Sequence, residues 1–204
     1  DDFPDAAEDS IYVLRPGTPV GVEIRGLLGL DDVILDIRPD RTWLERRSVE
    51  TIAREIARFL RSAFKRHEPV VVTKNRQLSS DFLQPPGDTS GNGQLYFGRV
   101  VSDIRIVPSP DWLRQRLRSA GIRPVNTIND ITNYVRYELG YPLRAVDLLN
   151  TKEGTHLLCF ESVSQNTADR SGIERAVNRA CELIEQLDCG LVMQGGVRGG
   201  ELSA

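Results

Sequence analysis

The sequence predicts an α+β fold, and three observations carry that reading. Apolar residues recur at three- and four-residue intervals in several separate stretches. Short strand-like runs stand between them. In the second half the elements follow the order strand–helix–helix–strand–helix, which argues against a regular βαβ wind. With 204 residues, 40% hydrophobic and 27% charged, the chain is long enough for one sizeable domain or two small ones.

Residues 1–10, DDFPDAAEDS, are acidic and are expected to be disordered; a start without Met reads as a fragment, a processed product or a trimmed chain. Residues 11–74 read as a small α+β subdomain. IYVL (11–14) and VEI (22–24) are strand-like, separated by the turn text RPGTPVG, and VILDIR (33–38) alternates until Pro39 stops it. The strongest helix of this half spans 48–66. Ser48 is its N-cap, Glu50 lies near its positive end, and Val49, Ile52, Ala53, Ile56, Ala57, Leu60 and Ala63 form its stripe. Arg54, Arg58, Arg61 and Lys65 occupy the opposite face, as a solvated surface or as one that meets RNA. The polar run that follows, with PP and GNG, reads as a flexible linker over 75–94.

Residues 95–190 form the expected core unit. LYFGRVVSDIRIV (95–107) is one strand, or two meeting at a bulge. PSPDWLRQRLRSAG offers Ser109 as N-cap and Pro110 at the first helical position, with Gly121 closing the helix. The next helix runs from about Thr127 to Leu139 and ends at Gly140; its start is crowded with Asn126, Asn129, Asp130, Thr132 and Asn133, residue types that favour caps and turns. HLLCF (156–160) is a candidate strand. Ser171-Gly172-Ile173-Glu174 fits a capping box for a helix reaching toward Gly190. Residues 191–204 begin as a candidate strand and continue as a Gly-rich tail.

The formal net charge of −3 does not advertise nucleic-acid binding, although a local basic face is compatible with it. The cations are nearly all Arg, with Lys only at 65, 74 and 152. Cys159, Cys181 and Cys189 form no CxxC pair, and His67 and His156 complete no zinc spacing. The thiols read as free in a reducing compartment, with no metal and no cofactor implied. No signal peptide and no apolar run of transmembrane length is visible. A cytoplasmic protein, or one of an organellar matrix or stroma, is expected.

The run from Tyr96 to Asp147, YFGRVV followed by PSPDWLRQRLRSAGIRPVNTINDITNYVRYELGYPLRAVD, resembles the β subunit of bacterial phenylalanyl-tRNA synthetase. Upstream, GTPVGVEIRGLLGLDDVILDIRPDRTWLERRSVETIAREIARFL is similar to the same family, so the resemblance spans residues 17–66 and 95–150. LLCFES and IERAVNRACELIEQLDCG extend it more weakly. It implies an editing-domain fold, α+β with a mixed or antiparallel sheet flanked by helices. In the family this region hydrolyses tyrosine wrongly attached to the phenylalanine tRNA, so tRNA and a synthetase α subunit are the implied partners.

Carried over by position, the pocket residues are Arg123 of GIRP, Thr132 and Asn133 of TNY, and Glu161 of LLCFES. Where the family has the His of its P-HAFD text this chain has Arg144, and Val146 replaces the neighbouring Phe. The family's Gly-rich turn and much of the second half of its pocket are compressed here. Arg144 reads either as a cleft residue that binds an anion or as the partner of Asp147 or Glu138 in an ion pair. No Ser-His-Asp or Cys-His set is visible, and no catalytic residue is assigned. The expectation is an editing-type domain without intact editing activity; the alternative is a non-catalytic paralogue that binds a protein partner or a small ligand.

Overall fold

A computed structural model of the chain describes residues 13–14, 16–33, 35, 37, 48–85, 94–148, 157–164 and 170–200. The acidic start, Lys152 and His156 lie outside these residues. The chain falls into two units, 1–35 and 36–204.

In the first unit the described residues hold one short helix, α1 (Ile24–Leu28), closed by Gly29 in the left-handed conformation at φ 68°. No strand forms at the described positions of IYVL, VEI or VILDIR, and Ile24 opens the helix instead. Val13, Val20, Val33 and Leu35 are exposed, so nothing at these positions supplies the buried, paired face that makes an apolar alternation into a strand.

The second unit carries the α+β architecture. Its central strand is β1 (Leu95–Ser102), a single strand with no bulge, ended by Asp103 at φ 52°. β2 (Arg144–Asp147) and β3 (Leu158–Ser164) extend the sheet on one side. β4 (Leu191–Val192) and β5 (Val197–Gly199) share the other edge of β1. Every pairing between these strands is antiparallel. Leu191 and Val192, read from sequence as a candidate strand, form β4, and Val197–Gly199, within the stretch read as a Gly-rich tail, form β5 and complete the sheet. Their glycines carry no strand signal; pairing to β1 holds them.

One face of the sheet is covered by helices α4 (Thr127–Leu139) and α5 (Arg170–Gln186), with α3 (Asp111–Ser119) packed against α4. Leu95, Phe97, Val101 and Phe160 point into this layer and meet Leu113, Leu117, Ile131, Val135, Ile173, Val177 and Ile184. The alternate residues, Tyr96, Val100 and Cys159, belong to a second, smaller cluster with Leu83, Met193 and Val197. The two clusters follow from the period of two along β1 and β3.

Helix α4 has the span its sequence predicts, with Asn126 as N-cap accepting from the Asn129 N–H at 3.0 Å and Gly140 closing it at φ 77°. Two other caps differ. Ser109 does not cap α3; its hydroxyl donates to Asp130 at 2.6 Å, and Pro110 takes the N-cap position. Ser171 lies inside the first turn of α5, and Glu174 accepts two hydrogen bonds from Arg198 of β5 rather than reaching back to a cap.

Helix α2 (Val49–Phe59) is shorter than the 48–66 read from sequence: Leu60 is its C-cap and Arg61, at φ 52°, turns the chain away. Ser48 caps it, accepting from the Thr51 N–H at 3.1 Å. Its attachment is polar. Glu50 pairs with the buried Arg175 of α5. Beyond α2 the chain has no regular secondary structure, and there His67 Nε2 lies 2.8 Å from Glu182 and the Val70 N–H donates to the same carboxylate. The segment expected as a linker at 75–94 is anchored where it is described. Ser79 is fully buried, and the Ser79 N–H donates to the Gln194 carbonyl while Gln194 N–H donates to that of Gln77. Contacts thus cross the boundary drawn at 75–94 on both sides, because unpaired backbone groups there find partners on the sheet.

Candidate functional site

The antiparallel register sets Arg144, Glu161 and Gly98 side by side across β2, β3 and β1. All three lie on the sheet face opposite the helices. Arg144 Nη2 donates to Glu161 Oε1 at 2.5 Å. The exposure of the two partners differs: the Arg144 side chain is 72% exposed and that of Glu161 only 12%. The pair is therefore a half-sheltered carboxylate covered by a guanidinium on the edge strand. Arg144 pairs with neither Asp147 nor Glu138 here, because strand pairing, not sequence proximity, decides which carboxylate it meets.

Gly98 leaves room for Tyr96. A Cβ at position 98 would sit 2.5 Å from the Tyr96 hydroxyl and 2.8 Å from Leu83 Cδ2. The phenol thus lies across the glycine, with its hydroxyl 3.9 Å from Cys159 Sγ. Burial, then the nearby Cys159 and Glu161, push the Tyr96 hydroxyl above its ordinary range. Burial likewise pushes the Cys159 thiol up to about 12. A fully buried, protonated thiol is not a nucleophile at neutral pH. Cys181 and Cys189 are buried as well, and burial raises both thiols.

The remaining sequence-derived positions are spread around this row. Thr132 gives its hydroxyl to the Ile128 carbonyl at 2.8 Å, a back-bond within α4. Asn133 is half-buried on the same helix, and Arg123 is exposed in the link ahead of it. The structure thus brings Arg144 and Glu161 into contact and commits Thr132 to its own helix.

Asp130 does work that its sequence position did not reveal. It is 1% exposed, accepts from the Ser109 hydroxyl, and accepts from the Val125 N–H at 2.8 Å. Thr127 holds the Val107 carbonyl from the same turn. The polar start of α4 thus fastens two loops, 107–109 and 125–127, to one helix end. Tyr96 and Gly98 were also missed. The available signal was their spacing of two on a strand, but the register that sets them against Glu161 has no local sequence mark.

Among the described residues no group of three or more His, Cys, Asp or Glu could hold a metal ion, and no helix is long and apolar enough to cross a membrane.

Comparison with known proteins agrees with this architecture. Residues 92–159, which include β1, α3, α4, β2 and the start of β3, match the B3/4 domain. The chain is 32% identical over 197 residues to the phenylalanine–tRNA ligase β subunit of Carboxydothermus hydrogenoformans, covering 96% of this chain and 24% of that protein. It is 39% identical over 140 residues to the corresponding subunit of Trichormus variabilis, covering 68% of this chain and 17% of the relative. A third relative, from Fusobacterium nucleatum, is 30% identical over 195 residues, which is 95% of this chain and 24% of that subunit. The chain thus spans a quarter or less of the length of these relatives. With the α+β sheet, the matched segment and the similarity along nearly its whole length in agreement, the chain belongs to the B3/4-domain family, as a relative of phenylalanine–tRNA ligase β subunits.

Proposed function

We propose that this chain is a translation-associated module of the phenylalanine–tRNA ligase β-subunit type that does not carry out efficient editing hydrolysis. The single observation behind this reading is the Arg144–Glu161 ion pair. Hydrolysis of an aminoacyl ester needs a water held against the carbonyl and donors that stabilise the developing oxyanion. A guanidinium stays protonated and cannot take the water's proton. Glu161, the carboxylate nearest to it, already holds Arg144 with one oxygen. The row is suited to binding an anion or an amide, not to activating water.

The reading carries tRNA and a ligase α subunit as partners and a cytoplasmic setting. A second reading, a binding or assembly module for another protein or a small ligand, draws on the same ion pair. Co-purification separates the two: a ligase α subunit as the main partner supports the first.

The enzymatic test is deacylation of the phenylalanine tRNA mischarged with tyrosine. The chain is expected to release tyrosine no faster than about twofold over the uncatalysed ester, since general acid–base catalysis alone would contribute at least about a hundredfold. Robust turnover that Arg144→Ala abolishes would overturn the proposal.

A further inference from the structure

The outer edge of the sheet carries backbone groups that the fold does not use. Among the described residues the strand order ends at β2, which pairs with β3 on one side only. The register tells which of its backbone groups face outward. The Leu148 N–H donates to the Leu157 carbonyl at 2.9 Å, continuing the register that sets Asp147 against Leu158. Antiparallel partners alternate between hydrogen-bonded and non-hydrogen-bonded pairs. Residues 144, 146 and 148 therefore bond to β3, and the N–H and C=O of Ala145 and Asp147 point away from it. The edge is open: Arg144 is 72% exposed, Val146 is 37% exposed and Asp147 is exposed. Such a row of outward donors and acceptors is a template for one more strand.

Side chains alternate along this edge. Arg144 and Val146 stand on the face opposite the helices, beside Glu161 and Cys159. Ala145 packs toward the helix layer, and Asp147 shares its side. An added antiparallel strand sets its residues opposite Arg144 and Val146 in the close, non-hydrogen-bonded positions, where side chains meet. Charge decides what that strand is. Glu161 takes one N–H of Arg144, and a guanidinium has five. A strand laid beside Arg144 strips water from the remaining donors, so it has to bring an acceptor of its own. A carboxylate there continues the alternation of sign across the strands, from Glu161 to Arg144 to the incoming acid. A second copy of this chain does not supply it. Paired strands keep like faces together, and the β2 face that holds Arg144 offers only Arg144, Val146 and Leu148; Asp147 lies on the other face.

We propose that the β2 edge takes up an extended peptide of a partner protein as an added antiparallel strand. Its apolar residue faces Val146 and, two positions later, its acidic residue faces Arg144. Main-chain bonds to Ala145 and Asp147 give the affinity, and the two side-chain positions give the selectivity. The inference rests on the binding reading of the Arg144–Glu161 row. Deacylation reads ester release and the following experiment reads backbone protection, so each can fail without the other.

The test titrates the full chain with an acetylated, amidated peptide, Thr-Lys-Val-Thr-Glu-Thr, whose Val faces Val146 and whose Glu faces Arg144. Amide hydrogen exchange is read residue by residue. With a dissociation constant of about 1 mM, exchange at the Ala145 and Asp147 N–H groups should slow about sixfold at about 5 mM peptide. Arg144 and Val146, already bonded to β3, should change little. The same peptide with Lys in place of Glu should bind about threefold more weakly, and Arg144→Ala should erase that preference. Ala145→Pro removes an outward donor without touching the β3 ladder and should remove the protection of Asp147. Unchanged exchange at Ala145 and Asp147, equal binding of the two peptides, or full binding by a folded Ala145→Pro variant would each overturn the proposal. So would sedimentation showing a dimer of the chain alone that Ala145→Pro makes monomeric, which would assign the edge to a second copy. If Ala145→Pro fails to fold by circular dichroism, the preference for the Glu peptide and its loss in Arg144→Ala decide alone.

Discussion

Replacing Glu182 by alanine is expected to lower the unfolding free energy by about 3 kcal/mol at neutral pH. The Glu182 carboxylate is 8% exposed and receives three groups at once: His67 Nε2, Arg179 Nη1 at 2.7 Å, and the Val70 N–H at 3.2 Å. Removing it leaves Arg179, 12% exposed, with Glu138 as its remaining carboxylate, and strands a backbone donor. It also detaches the segment around His67 from α5. A buried ion pair broken on one side costs more than the intact pair contributed, because the leftover charge stays desolvated. Urea unfolding at constant m-value gives the number directly. A loss under about 1 kcal/mol would mean that this carboxylate is effectively solvated.

The same group makes the loss depend on pH. Burial pushes the Glu182 carboxyl up, but the hydrogen bonds from His67, Arg179 and the Val70 N–H outweigh it and hold it below the usual carboxylate range. Unfolded, it titrates near the ordinary glutamate value of about 4.3. Its folded value is the lower one, so its contribution is fully present above the unfolded value and is lost as pH falls through the folded value. The gap between the chain and Glu182→Ala should therefore be flat from neutral pH down to about 5 and narrow below that. Glu174, held low first by its hydrogen bonds from Arg198, adds acid sensitivity of the same sign on β5. A gap that widens in acid would contradict the sign.

What the sequence made legible, and what it hid, follows from how local each signal is. The bounds of α4 were readable because its apolar period, its polar start and Gly140 are all written between its two caps, Asn126 and Gly140. Helix α2 was overextended because the stripe continues through Ala63, while the chain actually turns at Arg61 in a conformation no residue type there announces. Strand β2 is four residues, RAVD, too short for alternation to register, and β5 is VRG beside further glycines. Both exist because β3 and β1 offer them edges. The apolar runs before residue 38 had the opposite fate: strand-like text without a partner edge among the described residues. The site shows the same division. Arg144 stood out from sequence as a cation in apolar text, and Glu161 followed from the family resemblance. Their contact depends on a register between strands separated by 10 intervening positions, 148–157, which no residue pattern encodes. Tyr96 and Gly98 were invisible for that reason too, since a glycine that exists to let a phenol cross it looks like any other glycine.

Asp130→Ala is expected to cost about 3 kcal/mol, and Asp130→Asn markedly less. The carboxylate lies at the end of α4 with one oxygen on the Ser109 hydroxyl and the other on the Val125 N–H. Truncation leaves two buried or half-buried donors with no acceptor, each costing about 1–3 kcal/mol when left unpaired. An asparagine oxygen can keep one of the two bonds, but its amide NH₂ cannot accept the other. If Asp130 acted mainly as a negative charge near the helix N-terminus, alanine would cost about 0.3–1 kcal/mol and asparagine nearly as much, since both lose the charge. The ratio of the two losses therefore distinguishes stapling from dipole compensation. The local readout should be amide exchange at Val125 and Thr127, which would accelerate in Asp130→Ala well before the helix interior does, because the loops and not α4 itself lose their anchor. Unchanged exchange there, with the whole helix opening together, would place Asp130 in the helix rather than between the loops.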